Sequence, residues 1–180
     1  MRFNVAVGQN YFMEMAKMRA YRVLWANIAK AFGAKEENAK MLIHAFNAQI
    51  NMSLYDSYVN MLRTTTGSMS AILGGVHSFS VTPFDMVYEP TTEFAERIAR
   101  NQQLILKEES HFDKVADPAA GSYYIENLTD SLVKAAWNLF LQIQEEGGYL
   151  AALRNGTIQK MVKESATKRL NNVATRREII

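Results

Sequence analysis

The 180-residue sequence contains no cysteine. A disulfide framework, a thiolate nucleophile and a zinc–thiolate site are therefore excluded. An excess of one charge is also lacking, because 20 Lys and Arg residues face 18 Asp and Glu residues. So balanced a charge gives no reason to expect nucleic acid or an anionic membrane as a partner. The last third is more basic, but its cations have helical spacing, which favours a solvated helix face over a polyanion site.

Long hydrophobic runs are absent as well. No apolar run approaches the roughly 20 residues that cross a bilayer, and residues 1–5 lack the pattern of a secretory signal. We therefore expect a cytoplasmic protein. A glycine-rich phosphate loop, a zinc-binding helix motif and a nucleophile elbow are also missing. The overall composition, with 48% hydrophobic and 21% charged residues, is typical of a globular domain.

Short apolar runs alternate with longer amphipathic segments, a pattern typical of βα units. The predicted strands are residues 3–8, 41–46 and 76–81. Helices are predicted at 10–32, from a cap at Asp56 to 73, and from Thr91 or Thr92 to 109. After residue 112 only helices follow, at 127–146 and from 157. The pattern therefore predicts an α/β fold with three βα units in residues 1–112 and a helical extension in residues 113–180.

Helical spacing also predicts which side chains face inward. The predicted inward residues are Tyr11, Met15, Met18, Trp25, Ile28 and Phe32; Tyr58, Leu62, Met69 and Leu73; Phe94, Ile98 and Ile105; Leu128, Leu132, Ala135, Leu139 and Ile143; and Ile158, Met161, Val162, Ala166 and Leu170. The second strand, almost continuously apolar, is predicted to be covered on both faces.

Three parallel strands do not close a barrel, which needs about eight, and they leave two open edges. The sequence begins almost inside a strand and stops on Glu178-Ile179-Ile180. We therefore expect an excised piece of a larger barrel, or a piece that a partner completes. The open edges also predict that the isolated piece self-associates.

Three histidines, His44, His77 and His111, lie far apart, and none forms a metal-binding pair on one helix. His44 and His77 lie within apolar strand segments of consecutive βα units. Side chains near the carboxyl ends of strands surround the ligand in a parallel barrel, so both are candidates for ligand binding. The alternative is a buried histidine satisfied by a backbone carbonyl. Arg2 and Asn4 similarly face either a ligand anion or solvent.

Five segments resemble, in order, the methylmalonyl-CoA mutase family. They are NYFMEMAKMRAYRVLW at 10–25, DSYVNMLRTTT at 56–66, MSAILGG at 69–75, RIARNQQLIL at 97–106 with two glutamates at 108–109, and DPAAGSYY at 117–124. The resemblance spans essentially the whole chain. It implies the last three βα units of a (β/α)8 TIM barrel, followed by a helical extension.

The resemblance also implies an activity for the parent enzyme. These enzymes pass the pantetheine of coenzyme A through the barrel and bind adenosylcobalamin on a separate domain, through an Asp-x-His-x-x-Gly motif. The cofactor supplies a radical that interconverts methylmalonyl-CoA and succinyl-CoA. This sequence lacks that motif and the earlier barrel strands. We therefore expect no cofactor on this chain.

Departures from the family pattern are informative. In catalytic members of the family, the segment that corresponds to the second strand of this chain resembles HSQTSG. The segment that corresponds to the third strand resembles QSLHTNxxDE. This chain keeps His44 but has Phe46 in place of the glutamine, and Met86 in place of the acid that contacts the adenosyl group. In the third strand His77 replaces a glutamine, while Ser78 and Asp85 are retained.

Such losses resemble the non-catalytic small subunit of bacterial heterodimeric mutases, which implies a catalytic large subunit as partner. We predict no catalytic residue, and we interpret His44, His77, Ser78 and Arg2 as remnants of a substrate-binding set. One alternative is a catalytic mutase with altered substrate specificity, against which Phe46 and Met86 argue. The other is a helical protein-interaction module, which the strand segments disfavour.

Overall fold

The computed structural model describes residues 1–178. Three strands form a parallel sheet in the order β1-β2-β3. The strands are β1 (Arg2–Val7), β2 (Leu42–Asn47) and β3 (Ser78–Ser80). The α-helices of the described residues are α1 (Tyr11–Ala31), α2 (Val59–Leu73), α3 (Glu93–Glu108), α4 (Tyr123–Glu145), α5 (Tyr149–Arg154) and α6 (Thr157–Ala174). A helix follows each strand, which confirms the three predicted βα units.

The chain divides into two compact units, Met1–Val133 and Lys134–Ile180. The first unit contains the whole sheet. The second contains α5, α6 and the second half of α4. Residues 179–180 lie outside the described range, and the expectation about the chain end partly depends on them. Within the described residues, no helix is both long and apolar enough to cross a membrane.

Side chains and glycines set the ends of the first three helices. The Asn10 side chain accepts the Met13 N–H at the start of α1. At the start of α3 the cap is Thr92, one of the two predicted residues, whose side chain accepts the Ala95 N–H. At the end of α2, Gly75 has φ of +81°, a left-handed conformation that favours glycine. The predicted cap at Asp56 is wrong, because α2 begins at Val59 without a side-chain cap.

The sheet has one covered face and one open face. Ile43, Ala45 and Asn47 of β2 are buried, and Ile43 and Ala45 belong to a core that includes Met18 of α1. Their neighbours Leu42 and Phe46, which point to the opposite face, are substantially exposed. The expectation that β2 is covered on both faces is therefore wrong for this chain.

Several predicted inward residues are exposed, which corrects the predicted helix faces. They are Phe32, Tyr58, Leu62, Phe94, Ile105, Ala135, Leu139, Val162, Ala166 and Leu170. Small side chains make the helix contacts instead, such as Ala95 and Ala99 in α3 and Ser68 and Ala71 in α2. Helix α6 begins at Thr157 as predicted, but no residue in it is buried. The short helix α5 was not predicted.

Candidate functional site

The open face of the sheet holds most of the predicted site residues. Because side chains alternate along a strand, the even-numbered residues of the three strands share this face. These residues, the open face, are Arg2, Asn4, Ala6, Leu42, His44, Phe46, Ser78 and Ser80. The strand register forms one row of Asn4, His44 and Ser78. The next row consists of Ala6, Phe46 and Ser80.

His44 lies between two serine hydroxyls. Its Nδ1 lies 2.8 Å from Ser78 Oγ, and its Nε2 lies 3.3 Å from Ser80 Oγ. A hydroxyl donates to one ring nitrogen or accepts from the other, so a single neutral tautomer satisfies both contacts. The structure thus brings His44 and Ser78 together and adds Ser80. The interpretation of the sequence missed Ser80, although its position two residues after Ser78 on the same strand was the available signal.

His77 is not part of this row. Its ring Nδ1 accepts the backbone N–H of Ile43 at 3.2 Å, and the backbone N–H of His77 donates to the Ile43 carbonyl at 2.9 Å. The ring therefore binds the backbone of β2 just before β3 begins. Next to it is a cavity of about 240 Å³ whose lining includes Phe79, Leu106 and Phe112.

Arg2 and Phe46 limit what the open face can bind. Arg2 is exposed and lies opposite Leu42, one row away from His44. Phe46 places an apolar ring between Ala6 and Ser80. The open face carries no carboxylate that would orient the imidazole as in a catalytic triad. Its polar row can therefore hydrogen-bond a ligand but lacks a general acid–base pair.

At the carboxyl ends of the strands, polar groups bind one another. The Asn47 side chain donates to the Thr64 carbonyl at 3.2 Å and accepts the Thr82 N–H at 3.1 Å. The Gln9 amide donates to the Asn51 carbonyl at 3.0 Å. The cavity they enclose has a volume of about 10 Å³, which is room for about one water. Little space is therefore left there for a ligand.

Asp85, retained from the family pattern, is fully buried. Its Oδ2 accepts both the N–H and the hydroxyl of Thr92, each at 2.8 Å. Since Thr92 caps α3, Asp85 fixes the start of that helix. Met86 beside it is half-exposed, and the Gln49 amide lies 3.5 Å from its sulfur. Across residues 1–178 no cluster of His, Asp or Glu has the arrangement of a metal site.

Comparisons with known proteins agree with the resemblance. The chain matches the family model of methylmalonyl-CoA mutase over residues 1–180. It is 53% identical to a methylmalonyl-CoA mutase small subunit of Porphyromonas gingivalis, a match that covers 99% of this chain and 29% of that protein.

Two further relatives bear on the choice of subunit. The chain is 42% identical to a small subunit of Streptomyces virginiae, over 99% of this chain and 29% of that protein. It is 38% identical to the large subunit of P. gingivalis, over 97% of this chain and 25% of that protein. The chain thus spans less than a third of the length of each of these relatives.

Proposed function

We infer the function from one premise: the chain belongs to the methylmalonyl-CoA mutase family. We propose that it is a piece of a mutase small subunit that supports a catalytic partner and performs no chemistry itself. Its identity to the P. gingivalis small subunit is 53%, against 38% to the large subunit of the same organism. That difference favours the small subunit.

The proposed architecture is the last three βα units of a (β/α)8 barrel, residues 1–112, followed by a helical extension, residues 113–180. The parallel strand order, with one helix after each strand, supports it. So does the open face, which in a closed barrel becomes the inner wall. Relatives more than three times as long supply enough chain for the remaining units.

The environment of His44 carries the proposal that this piece is non-catalytic. Both of its ring nitrogens contact serine hydroxyls of the same sheet. Phe46 lies in the next row of β2, where the family pattern has a glutamine. We propose that Arg2, His44, His77 and Ser78 are remnants of a substrate-binding set, which now tie the strands together or face the barrel interior without binding substrate.

The parent enzyme is proposed to interconvert methylmalonyl-CoA and succinyl-CoA with adenosylcobalamin, which supplies the radical chemistry when bound. The residues of this chain do not fit that cofactor. The sequence has no Asp-x-His-x-x-Gly motif. His44 is bound to two serines, and His77 accepts a backbone N–H through Nδ1. We therefore place the cofactor outside this chain.

The proposed partner is the catalytic large subunit. Similarity of this chain to both a small and a large subunit supports a pair of related barrels. The two alternatives are less well supported: the small-subunit similarity disfavours a catalytic mutase of altered specificity, and the parallel sheet disfavours a purely helical interaction module.

The experiment that tests this function mixes the full-length parent subunit with the large subunit of the same organism. We expect the two to co-purify, and we expect the Tm of the large subunit to rise, because a partner that binds the native state stabilises it. If the two subunits do not co-purify and the Tm of the large subunit does not change, the supporting role is refuted. Tight cobalamin binding by residues 1–180 alone would refute the placement of the cofactor.

A further inference from the structure

The turn between α5 and α6 contains a chemically labile dipeptide, Asn155-Gly156. Asn155 is the only asparagine in the sequence that glycine follows. It caps the end of α5, Gly156 caps the start of α6, and Asn155 is exposed. The backbone nitrogen of the next residue can attack an asparagine amide, and glycine presents that nitrogen without a side chain in the way. The junction of the two helices therefore carries a reactive amide.

Both reacting groups of this dipeptide are weakly held. Asn155 has a helical φ of −74°, and Gly156 has a left-handed φ of +82°. The Gly156 N–H donates to the Leu153 carbonyl at 3.3 Å, which is longer than the usual range of about 2.7–3.2 Å. Within residues 1–178 the Asn155 side chain makes no hydrogen bond. Its amide is therefore free to turn toward the Gly156 nitrogen.

Release of the Gly156 N–H leaves neither of its hydrogen-bonding groups without a partner. The Leu153 carbonyl also accepts the Gln159 side-chain amide at 3.0 Å, and it keeps that bond when the Gly156 N–H moves away. Because Gly156 is only partly buried, water can take the place of the carbonyl as its acceptor. Rotation about the Asn155 ψ angle, which aims the Gly156 nitrogen at the side-chain amide carbon, is therefore inexpensive.

Neighbouring contacts fix the start of α6 rather than the reacting peptide group. Thr157 Oγ1 donates to Glu146 Oε2 at 2.8 Å, and the Lys160 N–H donates to the Gly156 carbonyl at 3.0 Å. Both bonds lie on the carboxyl side of the Gly156 nitrogen. Since no residue of α6 is buried, a small movement at its start disrupts no packed core.

We propose that Asn155 is a site of spontaneous deamidation, an inference that does not depend on the proposed function. The Gly156 nitrogen loses its proton and bonds to the side-chain carbonyl carbon of Asn155. The bond from that carbon to Nδ2 breaks, and the amide nitrogen takes up a proton and leaves as ammonia. Water then opens one of the two C–N bonds of the resulting five-membered imide, which gives aspartate or its β-linked isomer, isoaspartate. One water is consumed and one ammonia is released, with no change of oxidation state.

Either product places a new carboxylate just before α6. The first turn of α6 has no acidic residue, and Gly156 supplies no side-chain cap. A negative charge at a helix N-terminus interacts favourably with the helix dipole, so the aspartate product is compatible with the fold. Isoaspartate adds one atom to the backbone between α5 and α6 and therefore disturbs the turn. Both products make the chain more acidic by one charge at pH 7.

The test incubates the native full-length parent subunit in water labelled with heavy oxygen, at neutral and at alkaline pH. Asn138, which is exposed on α4 and followed by leucine, is the control within the same molecule. Mass spectrometry of the peptides measures the labelled oxygen gained at each asparagine. We expect Asn155 to convert about tenfold faster than Asn138 or more, because leucine obstructs the attack and glycine does not. The rate at Asn155 should rise with pH, because the attacking nitrogen must lose its proton.

The variant Asn155→Gln provides a second control, since its longer side chain would have to close a larger and less favourable ring. The species that is one charge more acidic, separated by ion exchange, should form in the unaltered subunit and be lost in this variant. Equal conversion at Asn155 and Asn138 overturns the proposal, as does an acidic species that forms equally fast in Asn155→Gln. An Asn155 that stays intact in the native subunit while a peptide of residues 150–160 converts also overturns it, because the fold then protects the turn.

Discussion

At the scale of single residues, Arg19 of α1 fastens the segment that precedes α4. Its guanidinium pairs with the Asp117 carboxylate and, at 2.6 Å, with Glu126 Oε1. The Gly121 N–H donates to the same Glu126 oxygen at 3.1 Å. The Gly121 N–H first, and the Arg19 side chain second, lower the pKa of Glu126.

This lowered pKa predicts how stability changes with pH. A carboxyl group whose pKa is depressed in the folded state stabilises the fold above its unfolded pKa, about 4.3 for glutamate. That contribution is lost as the pH falls through the folded pKa. We therefore expect Glu126→Gln to lower the Tm of the chain at pH 7. In thermal unfolding from pH 7 to pH 3, the difference from the unaltered chain should shrink below about pH 4.3.

The control for this prediction is Glu164→Gln on α6, an exposed surface change that should cost less than about 0.5 kcal/mol at any pH. A Tm difference for Glu126→Gln that stays constant down to pH 3 would show that the charge of Glu126 does not stabilise the fold.

The two strand histidines show what the sequence can predict at this scale. Both were placed in strand segments, but the pairing of β2 with β3 aligns His44 with Ser78 and leaves His77 one residue earlier. A one-residue offset along a strand places a side chain on the opposite face of the sheet. Strand register depends on contacts distant in sequence, so the sequence predicted both residues as candidates without separating them.

At the scale of elements, α2 approaches the sheet closely at Gly67. A Cβ on Gly67 would lie 2.9 Å from the side-chain nitrogen of Asn47, which is closer than real side chains come. Asn47 is buried and links the end of β2 to Thr64 and Thr82. The absence of a side chain at Gly67 therefore lets helix and strand share this hydrogen-bonded junction.

We predict that Gly67→Ala destabilises the chain by roughly 1–3 kcal/mol, because the added methyl displaces the Asn47 amide. The direction of the change in the free energy of unfolding shows whether the site is closely packed, because glycine to alanine at an open site inside a helix stabilises by about 0.5–1 kcal/mol. Urea unfolding measures the change. In the double variant Gly67→Ala with Asn47→Ser, the loss of stability should be smaller than the sum of the losses in the two single variants, because the shorter serine side chain relieves the clash. A stabilising Gly67→Ala would refute the close packing.

Helix ends were more predictable than helix faces, for a physical reason. Thr92 and Gly75 act through local backbone geometry, which a sequence specifies directly, although the predicted cap at Asp56 was wrong. Inward faces were predicted from large apolar residues, but Leu62 and Phe94 are exposed. Most buried positions of α2 and α3 hold small residues instead, such as Ser68 and Ala95, although Leu106 is buried as well. Small residues allow close helix packing, so the large apolar residues do not by themselves mark the inward face.

At the scale of the whole molecule, the described sheet has three strands and two unpaired edges. Strands β1 and β3 are the two edges of the described sheet, and its open face exposes Leu42 and Phe46. Unpaired strand edges and exposed apolar residues favour association.

We predict that residues 1–180 in isolation self-associate, with a weight-average mass in sedimentation that rises with concentration. The full-length parent subunit is the control, because its other strands would cover both edges. A monodisperse monomer of the isolated piece at all concentrations would contradict the incomplete-barrel architecture.

The three βα units were predictable because alternating apolar runs and amphipathic segments are local features. The proposed barrel closure and subunit assembly do not follow from residue patterns, since this sequence covers only 29% of its small-subunit relatives. The resemblance in the sequence motifs supplied the expectation, and the parallel sheet with its open face is consistent with it.

The most direct test of the central claim is turnover by the full-length parent subunit alone. The purified subunit is given adenosylcobalamin and methylmalonyl-CoA, and succinyl-CoA formation is measured, with the large subunit assayed in parallel as the positive control. The account predicts no turnover above the protein-free rate, because His44 is held between Ser78 and Ser80 and because Phe46 and Met86 stand where the family pattern has a glutamine and an acid. Succinyl-CoA formed by the parent subunit alone, free of the large subunit, would contradict it.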